Sequence, residues 1–153
     1  KKSKIKNVLI TVSDNKKRLS LIKEALSAGL KVINAIHPSS IILSKSFIGT
    51  GVIIEPLCYI GSKVEIGNGV WIKAKSSIDH NSMIKDGVCV GPSVQTGGNC
   101  YVGKFSSINI GSSISNKIRI GSCSIVGMGS NVLKNIPNNV YAWGNPAKIK
   151  KKY

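Results

Sequence analysis

A six-residue period through residues 42–132 constrains this chain more than any other feature. Stepping by six from Ile42 through Ile48, Ile54 and Ile60 to Val126 and Val132 meets only Ile or Val, except at Thr96. A second column, four residues after each of these, runs from Ser46 and Val52 to Ser124 and Ser130 and holds mostly small or β-branched side chains. Glycine often follows the first column, as at Gly49, Gly61, Gly67, Gly97 and Gly121. Six residues advance an α-helix by about 1.7 turns, so no helical face collects such a column. Short strands with alternating side chains, joined by tight turns where glycine relieves strain, collect both columns. A fixed hexapeptide period predicts an all-β solenoid, a parallel β-helix.

These columns resemble the hexapeptide-repeat acyltransferases. The resemblance implies a left-handed, three-sided prism with one hexapeptide per side and 18 residues per coil, here about five coils. The left hand comes from the resemblance alone, since parallel crossovers are normally right-handed. The segment Gly144-Asn145-Pro146-Ala147-Lys148, following such an array, resembles the closing motif of acetyl-transferring members.

Ahead of the repeat, Val8-Leu9-Ile10-Thr11-Val12 reads as a buried strand and Ser13-Asp14-Asn15 as a helix cap. Leu19, Ile22, Leu26 and Leu30 share a helical face that stops near Gly29, and residues 31–34 read as a second strand. Residues 1–35 are therefore a small partial α/β (βαβ) segment, and residues 36–153 the prism and its tail. The βαβ unit resembles the second half of the nucleotide-binding domain that precedes the prism in the branch acetylating nucleotide-linked amino sugars or sialic acid. The glycine-rich first half is missing, and the chain starts at Lys1 rather than Met, as a processed product or fragment would. His37 and Pro38 read as the joint, residues 1–7 as a frayed start, and residues 148–153 as a basic, mobile end.

The formal net charge of +16 fits either a polyanionic partner, such as a phosphate-rich cofactor, or a solvated lysine surface. Nucleic acid is disfavoured, because only two arginines and 5% aromatics leave little for groove reading or base stacking. Four cysteines without a C-x-x-C pair suggest free thiols in a reducing compartment. With no signal peptide and no membrane-length apolar run, the expected location is cytoplasmic.

Of the two histidines, His80 lies two places after the inward Ile78, on an outer face or edge. Acetylating an amine requires removing its proton, which a neutral imidazole can accept. The Asp79-His80 pair resembles the branch's active-site segment, where the histidine is the general base. Asp79 is the nearest carboxylate that could orient the ring, although strand neighbours point to opposite faces; Asn81, or a carboxylate from another coil, could serve instead. Gly98 is one coil after His80, and the family's matching glycine offers its N–H to the thioester oxygen. Gly97-Gly98 would also leave backbone open to a cofactor. The resemblance places the pantetheine of acetyl-CoA along Ile110, Gly111, Gly127 and Met128, with Lys148 near its phosphates. Cys89, where relatives often carry a second histidine, and Asn81 would contact substrate. Trp71 shares the column of Cys89, as a subunit contact or a platform. No metal is implied.

The expected protein is a homotrimeric, acetyl-CoA-dependent N-acetyltransferase acting on a nucleotide-linked amino-deoxy sugar, with its site between two prisms. O-acetylation of sialic acid or another sugar hydroxyl is the alternative reaction. A non-catalytic solenoid scaffold is the alternative without chemistry. The carbonic anhydrases that share this prism need three zinc-binding histidines per site, which two histidines cannot supply.

Overall fold

The computed structural model describes residues 6–153; most of the Lys-rich start, residues 1–5, lies outside the described residues. The hexapeptides form seventeen two-residue strands, β3 (Ala35–Ile36) through β19 (Asn131–Val132). They wind into a left-handed parallel β-helix of nearly six coils. Every third strand stacks in parallel register, which gives three sheets of eight, six and five strands. The eight-stranded sheet is completed by a terminal hairpin. The winding begins one hexapeptide before Ile42, because β3 pairs with the strand Ile53–Ile54. His37 and Pro38 therefore form the prism's first turn, not a joint ahead of it.

Both sequence columns point inward. Ile60, Ile66, Ile72, Ile78 and Ile84 are fully buried, as are Val64, Val70, Val88 and Val94. Each buried Ile or Val contributes about 1.5–3 kcal/mol of transfer free energy. The serines of the second column from Ser76 onward are also buried, and Ser46 is half-buried. Ser76, Ser106 and Ser112 donate to the carbonyls of Gly91, Gly121 and Gly127 at 2.8, 2.6 and 2.9 Å. Ser76 and Ser106 also accept from the N–H of Val94 and Ser124 in the next coil. These bonds offset the desolvation of a buried hydroxyl.

The glycines after the first column are not there to relieve turn strain. The left-handed backbone position lies two residues further on, and Lys45, Leu57, Lys63 and Asn81 occupy it with φ of 64, 60, 57 and 54°. What the first glycine supplies is space. A Cβ on Gly61 would lie 2.7 Å from the N of His80, which is the backbone of the next coil's turn.

Near the start, β1 (Asn7–Val8) pairs in parallel with β2 (Lys31–Val32), and α1 (Asn15–Ser27) connects them. The Asp14 carboxylate caps the helix, accepting from the N–H of Lys17 at 2.7 Å. Gly29, with φ 76°, ends it. Leu19 and Ile22 are buried, but Leu26 is 48% exposed, so the apolar stripe is shorter than the periodicity suggested. The residue that anchors α1 is Arg18, which is fully buried. Its guanidinium donates to the carbonyls of Val12, Ser13 and Gly69 and to Asn15 Oδ1 at 2.8–3.1 Å. Burial pushes its pKa down from the usual arginine value, opposed by the nearby Cys89 and Asp14.

The chain's end is ordered. β20 (Val140–Gly144) and β21 (Ala147–Lys152) form an antiparallel hairpin, and the Gly-Asn-Pro-Ala motif makes its turn. Residues 148–152 are thus strand, not the mobile tail expected from their charge.

Candidate active site

His80 stands on the turn that joins the six-stranded sheet to the five-stranded sheet. It is exposed. Ser62, Gly98 and Asn116 hold the equivalent place in neighbouring coils. The imidazole lies over Gly98: a Cβ there would come within 2.5 Å of His80 Nε2 and 2.6 Å of its Cε1. Gly98 is therefore required by the histidine ring itself. A Cβ on Gly97 would likewise meet the side chain and backbone of Asn116, so both glycines answer to contacts within the chain.

Asp79 does not reach the ring. Its Oδ1 accepts from the backbone N–H of His80 at 2.7 Å, fixing the turn. The ring's partner is Asn81, whose amide lies 2.9 Å from Nδ1. The atom facing Nδ1 is the amide nitrogen, Nδ2, which donates to it and so leaves the proton of a neutral ring on Nε2; a base at Nε2 requires the Asn81 amide turned about, with its oxygen accepting from Nδ1–H. The Gly98 N–H, expected to serve an oxyanion, already donates to Asn116 Oδ1 at 3.0 Å. Sequence reasoning passed over Asn116, although it lies one further coil beyond His80 and Gly98.

The remaining expected site residues lie elsewhere on the same chain. Ile110, Gly111, Gly127 and Met128 cluster on the turns between the eight-stranded and six-stranded sheets. Ile110 and Met128 are 49% and 72% exposed, and nothing lies within 4 Å of a Cβ built on Gly111, so an apolar edge stands open there. This suits a thin, partly apolar arm such as pantetheine. Lys148 and Lys150 line a cavity of about 340 Å³ with Trp143 on the hairpin, a cationic surface that suits phosphate.

Cys89 lies on the outer face of the eight-stranded sheet, paired in register with Trp71 and Ser107. The Trp71 indole donates to Glu55 Oε1 at 2.8 Å, with Lys73 Nζ 5.3 Å from its ring centre. Burial pushes the Cys89 thiol pKa up, opposed by Lys73 and Arg18, so it is not a poised nucleophile. A single chain thus brings together His80, Asp79, Asn81 and Gly98, but places Cys89 and the apolar edge on other sides of the prism.

This geometry has close counterparts. The chain is 29% identical over 150 residues to the GDP-perosamine N-acetyltransferase of Escherichia coli O157:H7, covering 94% of this chain and 67% of that protein. It is 33% identical over 135 residues to a serine acetyltransferase of Buchnera aphidicola, covering 88% of this chain and 44% of that one. It superposes with a TM-score of 0.95 on PerB from Caulobacter crescentus in complex with CoA and GDP-perosamine. There the identity is 29%, over 97% of this chain and 72% of the other. The chain belongs to the hexapeptide-repeat acetyltransferases. No family model matches it. On this hexapeptide-repeat acetyltransferase the residues around His80 and along the Ile110–Met128 edge stand on turns, whereas Cys89 and Lys148 stand on strands. Among the described residues, no helix is long and apolar enough to cross a membrane, and no cluster of side chains could hold a metal ion.

Proposed function

We propose that this protein transfers the acetyl group of acetyl-CoA to the amine of a nucleotide-linked amino-deoxy sugar, with His80 as general base. The observation that carries this reading is the likeness, over nearly the whole chain, to an enzyme crystallised with CoA and a nucleotide-linked amino sugar. His80 Nε2 accepts the proton of the attacking amine once the Asn81 amide beside Nδ1 turns its oxygen to accept from Nδ1–H. Acetyl-CoA, when bound, supplies the reactive thioester. Ile110, Gly111, Gly127 and Met128 would cradle its arm, and Lys148 would meet its phosphates.

His80 and the Ile110–Met128 edge lie on different corners of the prism, so one copy's histidine must meet another copy's edge. This supports a homotrimer with the site at each subunit interface. Cys89 and Asn81 would then face the sugar. Residues 1–35 would supply part of the nucleotide-binding surface, with the prism from residue 36 onward carrying the chemistry. Buried thiols such as Cys58 and Cys100 suit a reducing compartment, in keeping with a cytoplasmic enzyme.

The test is thiol release from acetyl-CoA against a panel of nucleotide-linked amino sugars, with sialic acid as the hydroxyl acceptor, alongside sedimentation. Turnover with an amino sugar by a species of three chain masses is the expected result. Turnover only with the hydroxyl acceptor would replace the substrate assignment, and a clean monomer at micromolar concentration would remove the intersubunit site.

A further inference from the structure

Thr96 is the one polar interruption in the column of Ile and Val that fills the prism. It is 6% exposed, so its hydroxyl sits inside an otherwise aliphatic layer. Burying a hydroxyl there costs free energy that valine, of nearly the same shape, would not cost. The structure shows what the hydroxyl does. At this corner the residue after the inward aliphatic donates its N–H to the carbonyl 17 residues on: Leu43 to Ile60, Gly61 to Ile78, Gly97 to Ile114 and Ser115 to Val132, at 2.8–3.0 Å. Asp79 departs from the pattern, because its N–H donates to Thr96 Oγ1 at 3.1 Å. The ladder is altered at the same place. Ser77–Ile78 matches Gln95–Thr96 only through Ser77 and Gln95, whereas the pairs above and below match at both residues.

We propose that Thr96 is a positioning residue for His80, its hydroxyl holding the Asp79 backbone out of the regular ladder so that the imidazole seats over Gly98. The connection is continuous: Thr96 Oγ1 accepts from Asp79 N–H, Asp79 Oδ1 accepts from His80 N–H, and the ring then lies over Gly98 against Asn81. In a prism of repeating coils, this gives one turn a backbone path that its neighbours lack. The inference rests on the reading of His80 as the base.

The test compares Thr96→Val with Thr96→Ser. Valine is the column's own residue type, so the fold should survive with an unchanged or higher melting temperature. We expect Thr96→Val to lower kcat by roughly 10- to 100-fold, as small misplacements of catalytic groups do. The KM for acetyl-CoA should stay within about two-fold, and Thr96→Ser should restore most of kcat. In His80→Ala, adding Thr96→Val should cost nothing further. A second readout needs no activity: with two histidines in the chain, the His80 imidazole proton signals should shift in Thr96→Val but not in Thr96→Ser, while those of His37 stay fixed. Full kcat in Thr96→Val beside an inactive His80→Ala would overturn the positioning role and leave the base intact. An active His80→Ala would overturn the base, and unmoved His80 signals in Thr96→Val would overturn the positioning role in either case.

Discussion

Two corners of the prism are built from the same hexapeptide and put to opposite uses. At the corner between the five-stranded and eight-stranded sheets, Gly51, Gly69 and Gly87 stack at the left-handed turn position, with φ of 69, 60 and 67°. Helix α1 lies on that column. A Cβ on Gly51 or Gly69 would come within 2.7 or 2.9 Å of Ile22 Cδ1, and Arg18 reaches the Gly69 carbonyl at 2.8 Å. At the corner between the six-stranded and five-stranded sheets, the left-handed position holds Lys63, Asn81, Asn99 and Lys117, and among the described residues no helix covers it. Glycine appears there one place earlier, at Gly98, and makes room for an imidazole. A one-residue shift of glycine within the repeat separates a corner that seats a helix from a corner that seats a histidine.

The largest expected effect tests the open corner. His80→Ala should lower kcat by about 10²–10⁴-fold, the usual contribution of a general base, with an unchanged melting temperature because the side chain is outside the core. The His37 ring hydrogen-bonds to the local Ser39, far from the His80 turn in the chain, and His37→Ala should leave kcat within a few-fold of wild type. Equal losses from both would end the contrast between this turn and the prism's first one.

The next effect tests the covered corner. Arg18→Met would keep much of the packing but orphan the buried Gly69 carbonyl, at a cost of about 1–3 kcal/mol, and release the partly buried carbonyls of Val12 and Ser13. We expect amide exchange in α1 to accelerate by about 100-fold, a loss of about 3 kcal/mol, while prism amides stay protected. Uniform acceleration would mean that helix and prism unfold as one unit.

Gly98→Ala is a smaller change that sharpens the comparison. The added methyl meets the His80 ring first, so kcat should fall by roughly 10-fold or more through displacement of the base. Acetyl-CoA affinity, measured by calorimetry, should hold. A weakened affinity would place the cofactor against this turn as closely as the histidine.

The smallest effect concerns Asp86, on the covered corner. Burial raises its pKa, but the Asn68 N–H at 2.9 Å and the Lys104 ammonium at 3.0 Å outweigh that and hold it below the usual carboxylate value. A depressed folded pKa stabilises the fold above the unfolded carboxylate pKa of about 4, and that contribution fades as pH falls through the lower folded value. Asp86→Asn should therefore cost less than about 1 kcal/mol at pH 7, because Lys104 is largely exposed. The difference from wild type should vanish in strong acid, as read by melting temperature across pH.

The sequence by itself determined the solenoid, its inward columns and the singular status of His80. A six-residue period acts locally: each hexapeptide specifies its own strand and turn, and stacking identical units adds no choice that the period has not already made. It also marked Thr96 as an interruption, without saying what the hydroxyl would hold. Only the tertiary structure decided which atoms meet between coils. Asp79 turned out to cap the adjacent backbone N–H and leave the ring to Asn81, because the dihedral angles within one turn decide which neighbour reaches the imidazole. The Gly98 N–H was taken by Asn116, 18 residues on, because contacts between coils depend on how the turns stack. The anchoring role of Arg18 was beyond any periodic reading, since a charged residue next to an apolar stripe looks solvated until a partner surface supplies carbonyls for it. The repeat gave every coil the same address system, and the exceptions that carry chemistry became visible only when coils were laid one on another.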